Sequence, residues 1–104
     1  MKNKKIKIGY FADGPWSHFA FEKLINDNEI EIEFIVPRSD TTDFKLKYFA
    51  EKYDIDYIHP VKINTPEFIQ VASSYACDLF VSMSFNQIFK TNIINVPRLG
   101  VINC

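Results

Sequence analysis

The stretch IKIGYFADGPWSHFAFEKL, residues 6–24, predicts a buried strand, a turn and an amphipathic helix in immediate succession. Residues 6–11 are rich in large and branched apolar side chains, and Asp13, Gly14 and Pro15 close them as a turn. The apolar residues that follow recur at three- and four-residue spacing and form the predicted buried face of the helix: Trp16, Phe19, Ala20 and Leu24.

The alternation of strand and helix continues along the chain. Further strands are predicted at residues 30–36, 57–58, 79–83 and 99–103. A second helical stripe, entered through Thr42 and Asp43, comprises Leu46, Phe49, Ala50 and Tyr53. Thr65 and Pro66 begin a third helix that runs to about residue 75, and residues 87–94 form a short helix or turn.

This order of elements predicts the fold class. Strands separated by single helices form a parallel sheet with right-handed crossovers, because a tight hairpin cannot join parallel neighbours. We therefore expect a doubly wound, mainly parallel, Rossmann-like α/β sheet of about five strands, in one domain over residues 1–104. The common strand order 3-2-1-4-5 is expected.

Composition excludes several classes of protein. The 104 residues carry 12 Lys and Arg against 13 Asp and Glu, so the net charge of −1 offers no overall field for nucleic acid. An apolar fraction of 47% with 15% aromatics is enough for a core that needs no disulfides. Cys77 and Cys104 are isolated in the sequence, so we expect reduced thiols rather than a disulfide or metal ligands. No apolar run is long enough to cross a membrane, and the cytoplasm is the expected compartment.

Ligands of such sheets bind beyond the carboxyl ends of the strands, at the point where the crossovers change face. With the expected order, that point lies between strands one and four, next to residues 13–18, residues 84–87 and Asn103. The pattern G-x-G-x-x-G is missing after strand one, which argues against a nucleotide-dependent oxidoreductase.

Several residues near these loops allow two interpretations. Ser17 could bind a phosphate or cap the helix, and Trp16 could line a pocket or belong to the core. Arg38 could hold an anion or be a solvated charge. His18 and His59 have no carboxylate nearby in sequence, so surface positions are favoured for both.

The last quarter of the chain resembles a known family. The segments DLFV at residues 78–81, SFNQIF at residues 84–89 and VPRLGVIN at residues 96–103 are similar to the folate-dependent formyltransferases, in particular the methionyl-tRNA and nucleotide-sugar branches. The order of elements agrees with that family over the whole chain.

The resemblance implies a site. In the family the segment after strand four lines the folate pocket through backbone groups and apolar side chains, and here it comprises Phe85, Asn86, Gln87, Ile88 and Phe89. Asn103 matches the catalytic asparagine that helps to hold the oxyanion when an amine attacks the formyl carbon of 10-formyltetrahydrofolate. The amine substrate is expected near Asp13, Gly14, Trp16 and Ser17, and no metal is expected.

The sequence also departs from the family pattern. The family has a histidine two positions after the asparagine, whereas this chain ends at Cys104. We therefore expect an amino-terminal part of a formyltransferase domain that is inactive alone and self-associates through its uncovered fifth strand.

A nucleotide-linked amino sugar is preferred to tRNA as acceptor because no basic surface is evident. The alternative is a non-catalytic α/β domain that binds a small ligand or a subunit.

Overall fold

A five-stranded parallel sheet forms the centre of the computed structural model, which describes residues 5–104. The strands are β1 (Ile6–Ala12), β2 (Ile30–Val36), β3 (Asp56–Tyr57), β4 (Leu79–Met83) and β5 (Val101–Asn103). The helices are α1 (Pro15–Ile25), α2 (Phe44–Lys52), α3 (Pro66–Ser73) and α4 (Thr91–Ile94). The order β3-β2-β1-β4-β5 confirms the predicted doubly wound α/β fold.

The two faces of the sheet carry separate cores. One core packs α1 and α2 against the sheet and is centred on buried residues Tyr10, Phe21, Ile35, Leu46 and Phe49. The other packs α3 and α4 against the opposite face and is centred on Phe11, Phe34, Phe68, Phe80 and Ile93. The crossovers therefore change face between β1 and β4, which is where a ligand crevice is expected in this fold.

The buried face of α1 differs from the prediction. Trp16 and Phe19 are 73% and 65% exposed, whereas Ser17 and Phe21 are fully buried. The helix carries apolar side chains on two adjacent stripes, one with Trp16 and Phe19 and the other with Phe21. Polar contacts determine which stripe packs against the sheet. The Ser17 hydroxyl donates to the Gly14 carbonyl oxygen at 2.6 Å, and the Tyr10 hydroxyl donates to the Ser17 carbonyl oxygen at 2.8 Å. These bonds turn Ser17 inward, so the expectation of a core position for Trp16 is wrong.

The caps of α2 and α3 follow the predicted chemistry. The Asp43 carboxylate accepts from the Leu46 amide at 3.0 Å, and the Thr65 hydroxyl accepts from the Phe68 amide at 3.1 Å. The fifth strand is shorter than predicted and begins at Val101, because Leu99 and Gly100 form a turn in which Gly100 has a φ of 85°.

Phe11 joins the core to the carboxyl end of the sheet. Its ring lies 4.9 Å from that of Phe80, 5.6 Å from that of Phe85 and 5.0 Å from that of Phe89, centre to centre. Phe85 and Phe89 belong to the loop after β4. That loop is therefore anchored on buried aromatic rings instead of projecting into solvent.

Candidate functional site

The loops after the carboxyl ends of the strands form one edge of the sheet, which we call the carboxyl rim. It comprises residues 13–14, 37–43, 58–65 and 84–90 together with Asn103. A cavity of about 390 Å³ opens at the β4 and β5 side of this rim. Its walls are formed by Ser82, Phe85, Gln87, Ile88, Phe89, Ile94, Val101 and Asn103.

The cavity brings together residues that the sequence resemblance singled out separately. Asn103 lines it, as do four of the five residues expected to contact folate. Asn86 is the fifth; it is exposed and does not line the cavity. Ile88 is 79% exposed, so its apolar side chain is available to a ligand.

The position of Asn103 follows from strand register. Asn103 pairs with Ser82 of β4, and the Cys104 amide donates to the Ser82 carbonyl oxygen at 2.8 Å. The strand thus continues to the rim and places an exposed Asn103 side chain at the cavity wall. Within residues 5–104 the side-chain amide of Asn103 has no hydrogen-bond partner, which leaves its N–H groups for a ligand.

Two side-chain amides fix the loop after β4. Gln87 accepts from the Ile63 amide at 2.9 Å and donates to the Val61 carbonyl oxygen at 3.3 Å. Asn64 donates to the Ile88 carbonyl oxygen at 2.7 Å and accepts from the Lys90 amide at 3.0 Å. We call these contacts the amide clamps. They engage both polar side-chain atoms of Gln87 with the loop between β3 and α3.

The turn after β1 is held by carboxylates. The Asp13 carboxylate accepts from the Arg38 amide at 3.0 Å and from the Thr41 hydroxyl at 2.8 Å. The Gly14 amide donates to Asp43 at 2.8 Å, and a φ of 83° at Gly14 requires a residue without a β-carbon. Ser17 is buried and bonded to Gly14, whereas Trp16 is open to solvent. Trp16 is therefore the exposed member of the predicted substrate loop, and Asp13 and Gly14 are half-buried.

Sequence reasoning missed the partner of His18. Nε2 of His18 lies 2.8 Å and 2.9 Å from the two carboxylate oxygens of Asp43, although the residues are 25 positions apart. Burial alone would raise the pKa of the Asp43 carboxyl. The hydrogen bonds from the Leu46 and Gly14 amides and from the His18 ring have a larger, opposite effect, so the pKa lies below its ordinary value. His59 differs, since its Nε2 meets the Arg38 carbonyl oxygen at 2.8 Å.

Asp43 also occupies the place where a phosphate could have bound at the start of α1. The Gly14 amide donates to it, and the Ser17 amide donates to the Gly14 carbonyl oxygen at 3.0 Å. Phosphate binding by Ser17 and the first turn of α1 is therefore not supported by the geometry.

The described part of the chain offers few other features for chemistry. Cys77 is buried and Cys104 exposed, and both are free thiols. Burial raises the pKa of the Cys77 thiol to about 12, which makes it a poor nucleophile. Residues 5–104 contain no cluster of three or more His, Cys, Asp or Glu side chains able to hold a metal ion. Over the same residues, no helix has the length and apolar character needed to cross a membrane.

Comparisons with known proteins point to one family. The chain is 23% identical over 99% of its length to the methionyl-tRNA formyltransferase of Protochlamydia amoebophila (strain UWE25), of which it covers 35%. It is 30% identical over 94% of its length to the methionyl-tRNA formyltransferase of Geotalea daltonii, of which it covers 34%. It thus spans about a third of the length of these curated relatives. No family model matches the chain.

The fold is also that of a solved transformylase. Glycinamide ribonucleotide transformylase 1 from Symbiobacterium toebii superposes with a TM-score of 0.68, covering 95% of this chain and 50% of its own, at 12% identity. The resemblance to formyltransferases inferred from the sequence is confirmed.

Proposed function

We propose that this chain carries the formyl-donor side of a formyltransferase site, at which a formyl group passes from 10-formyltetrahydrofolate to an amine. The observation that supports it best is the 390 Å³ cavity, which unites Asn103 with Phe85, Gln87, Ile88 and Phe89. Its size lies within the roughly 300 to 1,000 Å³ of small-molecule sites.

The walls of the cavity suit a flat heterocycle. Phe85 and Phe89 lie 5.8 Å apart and rest on Phe11, so they provide an apolar surface that does not need to reorganise. The backbone of residues 85–89 is held by the amide clamps and can offer donors and acceptors to the edge of a pterin. A fixed polar edge beside apolar walls is the usual composition of such a pocket.

Asn103 would act on the formyl group. The bound folate supplies an activated formyl carbon, and a neutral side-chain amide can aim an N–H group at the formyl oxygen as negative charge develops there. Such a preorganised donor contributes about 3 to 4 kcal/mol to transition-state stabilisation. The amide does not titrate, so this contribution persists over the whole working pH range.

The amine acceptor is expected to carry phosphate. The relatives are named for methionyl-tRNA, and a nucleotide-linked amino sugar is favoured by the nearly neutral charge of this chain. Both acceptors carry an amine and phosphate groups in the same molecule. We place the amine near Asp13, Gly14, Trp16 and Ser17, with Asp13 and Trp16 as the side chains that could touch it.

The decisive test is folate binding by the 104-residue chain, because this chain supplies the residues that line the described cavity. Calorimetric titration with 5-formyltetrahydrofolate, a stable analogue of the donor, should show saturable binding. Ile88→Ser should weaken it about tenfold, since an apolar contact that the bound ligand would bury is lost.

Val71→Ser provides a matched control, because Val71 is an exposed apolar residue of α3 that does not line the cavity and takes no part in the amide clamps. It should change the affinity less than twofold. Absence of saturable binding, or equal weakening by the two variants, would contradict the proposed function and favour a non-catalytic domain that binds another ligand.

A further inference from the structure

Arg38 is held in the carboxyl rim by its backbone. It follows β2 and Pro37 and is half-buried. Its amide donates to the Asp13 carboxylate at 3.0 Å, and its carbonyl oxygen lies 2.8 Å from Nε2 of His59. Loops after β1 and β3 therefore fix the residue from both sides.

The side chain of Arg38 is fixed as well. Its Nε donates to the carbonyl oxygen of Ser84 at 3.0 Å, after β4. Because β1 lies between β2 and β4 in the sheet, the side chain crosses the carboxyl end of β1. Ser84 has a φ of 56°, a left-handed conformation that is uncommon without glycine and often marks ligand sites.

The charge of this guanidinium is not balanced by a carboxylate. An arginine side chain stays protonated at every physiological pH. Arg98, by contrast, is paired with a carboxylate, since its Nε lies 2.8 Å from Oδ1 of Asp78. Within residues 5–104 no carboxylate oxygen lies within 4.0 Å of the side-chain nitrogens of Arg38, and Asp13 meets only its backbone amide. The neutral Ser84 carbonyl orients the cation without neutralising it.

We propose that Arg38 binds a phosphate group of the amine acceptor. This inference rests on the proposed function and adds the recognition of the second substrate to it. The terminal nitrogens of a guanidinium form a planar pair of donors that matches two phosphate oxygens. Ser84 immediately precedes Phe85 of the cavity, so a phosphate bound to Arg38 would lie on the same rim as the proposed formyl-donor cavity.

The phosphate could belong to a nucleotide-linked amino sugar or to an RNA end. Uridine diphosphate and a short RNA hairpin are therefore titrated separately into the 104-residue chain, with binding followed by calorimetry at fixed ionic strength. Arg38→Gln should weaken binding about tenfold or more, because a charge-assisted pair of hydrogen bonds is lost. Arg98→Gln removes the same charge from a carboxylate-paired arginine and should change binding less than twofold.

Circular dichroism and thermal unfolding should show that each variant folds. A further variant, Arg38→Lys, keeps the charge without the planar fork, and we expect it to bind with intermediate affinity. Tight binding of uridine diphosphate assigns the phosphate to a nucleotide, and binding of the hairpin alone assigns it to RNA; either result supports the proposal when it depends on Arg38.

The proposal is overturned if neither probe binds, or if Arg38→Gln and Arg98→Gln weaken binding equally. Titration of every variant with 5-formyltetrahydrofolate separates this outcome from failure of the proposed function. If the parent chain binds 5-formyltetrahydrofolate but neither phosphate probe, or if the two Gln variants weaken phosphate binding equally while folate binding is retained, only the role of Arg38 is overturned.

Discussion

The carboxylate of Asp43 accepts a hydrogen bond of 2.8 Å from the backbone amide of Gly14, although the two residues are 29 positions apart. The same side chain caps α2 through the Leu46 amide and meets the ring of His18. One acidic residue thus fixes the first turns of two neighbouring helices. It aligns the turn after β1 with the loop after β2, and both belong to the carboxyl rim.

Replacement of Asp43 should therefore destabilise the chain more than an ordinary cap substitution. Asp43→Ala removes the cap of α2, which contributes about 1 kcal/mol, and leaves the Gly14 amide unsatisfied, at about 1 to 3 kcal/mol. We expect the free energy of unfolding to fall by about 2 to 4 kcal/mol in urea denaturation. Asp40→Ala, an exposed neighbour in the same loop, should stay within about 0.5 kcal/mol of the parent, and an equal loss for both variants would contradict this role.

The same carboxylate should make stability depend on acid pH. Its pKa is lower in the folded chain than the ordinary value of 3.8, so ionised Asp43 stabilises the fold above that value. The contribution is lost as pH falls from 3.8 through the lower folded pKa. Urea denaturation across this range should give a smaller acid-induced loss for Asp43→Asn than for the parent. Parallel curves for the two proteins would show that Asp43 does not carry the effect.

Gly9 is expected to be sensitive to the smallest side chain. A β-carbon at this position would lie no more than 3.0 Å from three atoms of the Phe34 ring, which is fully buried. Gly9→Ala should lower the free energy of unfolding by about 1 to 3 kcal/mol through overpacking. Combining it with Phe34→Leu should cost less than the sum of the two single changes, and strict additivity would refute the steric cause.

The amide clamps should connect the shape of the cavity to the β3–α3 loop. Gln87→Ala leaves the Ile63 amide without its partner and frees the loop after β4, so affinity for 5-formyltetrahydrofolate should fall several-fold in calorimetry. Asn86→Ala changes the adjacent residue, which is exposed and does not line the cavity, and should alter affinity less than twofold. A larger effect of Asn86 than of Gln87 would reverse this assignment.

Local sequence signals account for most of the fold. Two short-range patterns have direct physical causes, and the structure reproduces both. One is the helix start formed by Thr65 and Pro66, and the other is the apolar run of β2, which Pro37 ends. The orientation of α1 was not predictable in this way. Trp16 and Phe19 are as apolar as Phe21 and Ile25, which pack against the core. The choice between the two stripes depends on Tyr10 and Ser17, which meet only in the folded chain.

The site was predictable to a smaller extent. Resemblance singled out Asn103 and the loop after β4, but Asn64, the partner of that loop, lies in a different crossover and shares no motif with it. The pairing of His18 with Asp43 has the same origin, because parallel strand order brings together loops that are distant in sequence. The contact of Arg38 with Ser84 spans 46 positions and depends on the insertion of β1 between their strands.

Trp16 is the single tryptophan of the sequence and lies at the start of α1 with most of its ring in water. Its emission should already resemble that of free indole in the native state, so intrinsic fluorescence will change little when the chain denatures. Because it is the one tryptophan, excitation at wavelengths that tyrosine does not absorb makes it an optical reporter of the turn at Gly14. Quenching or a blue shift of this one fluorophore would register the arrival of an acceptor molecule without any added label.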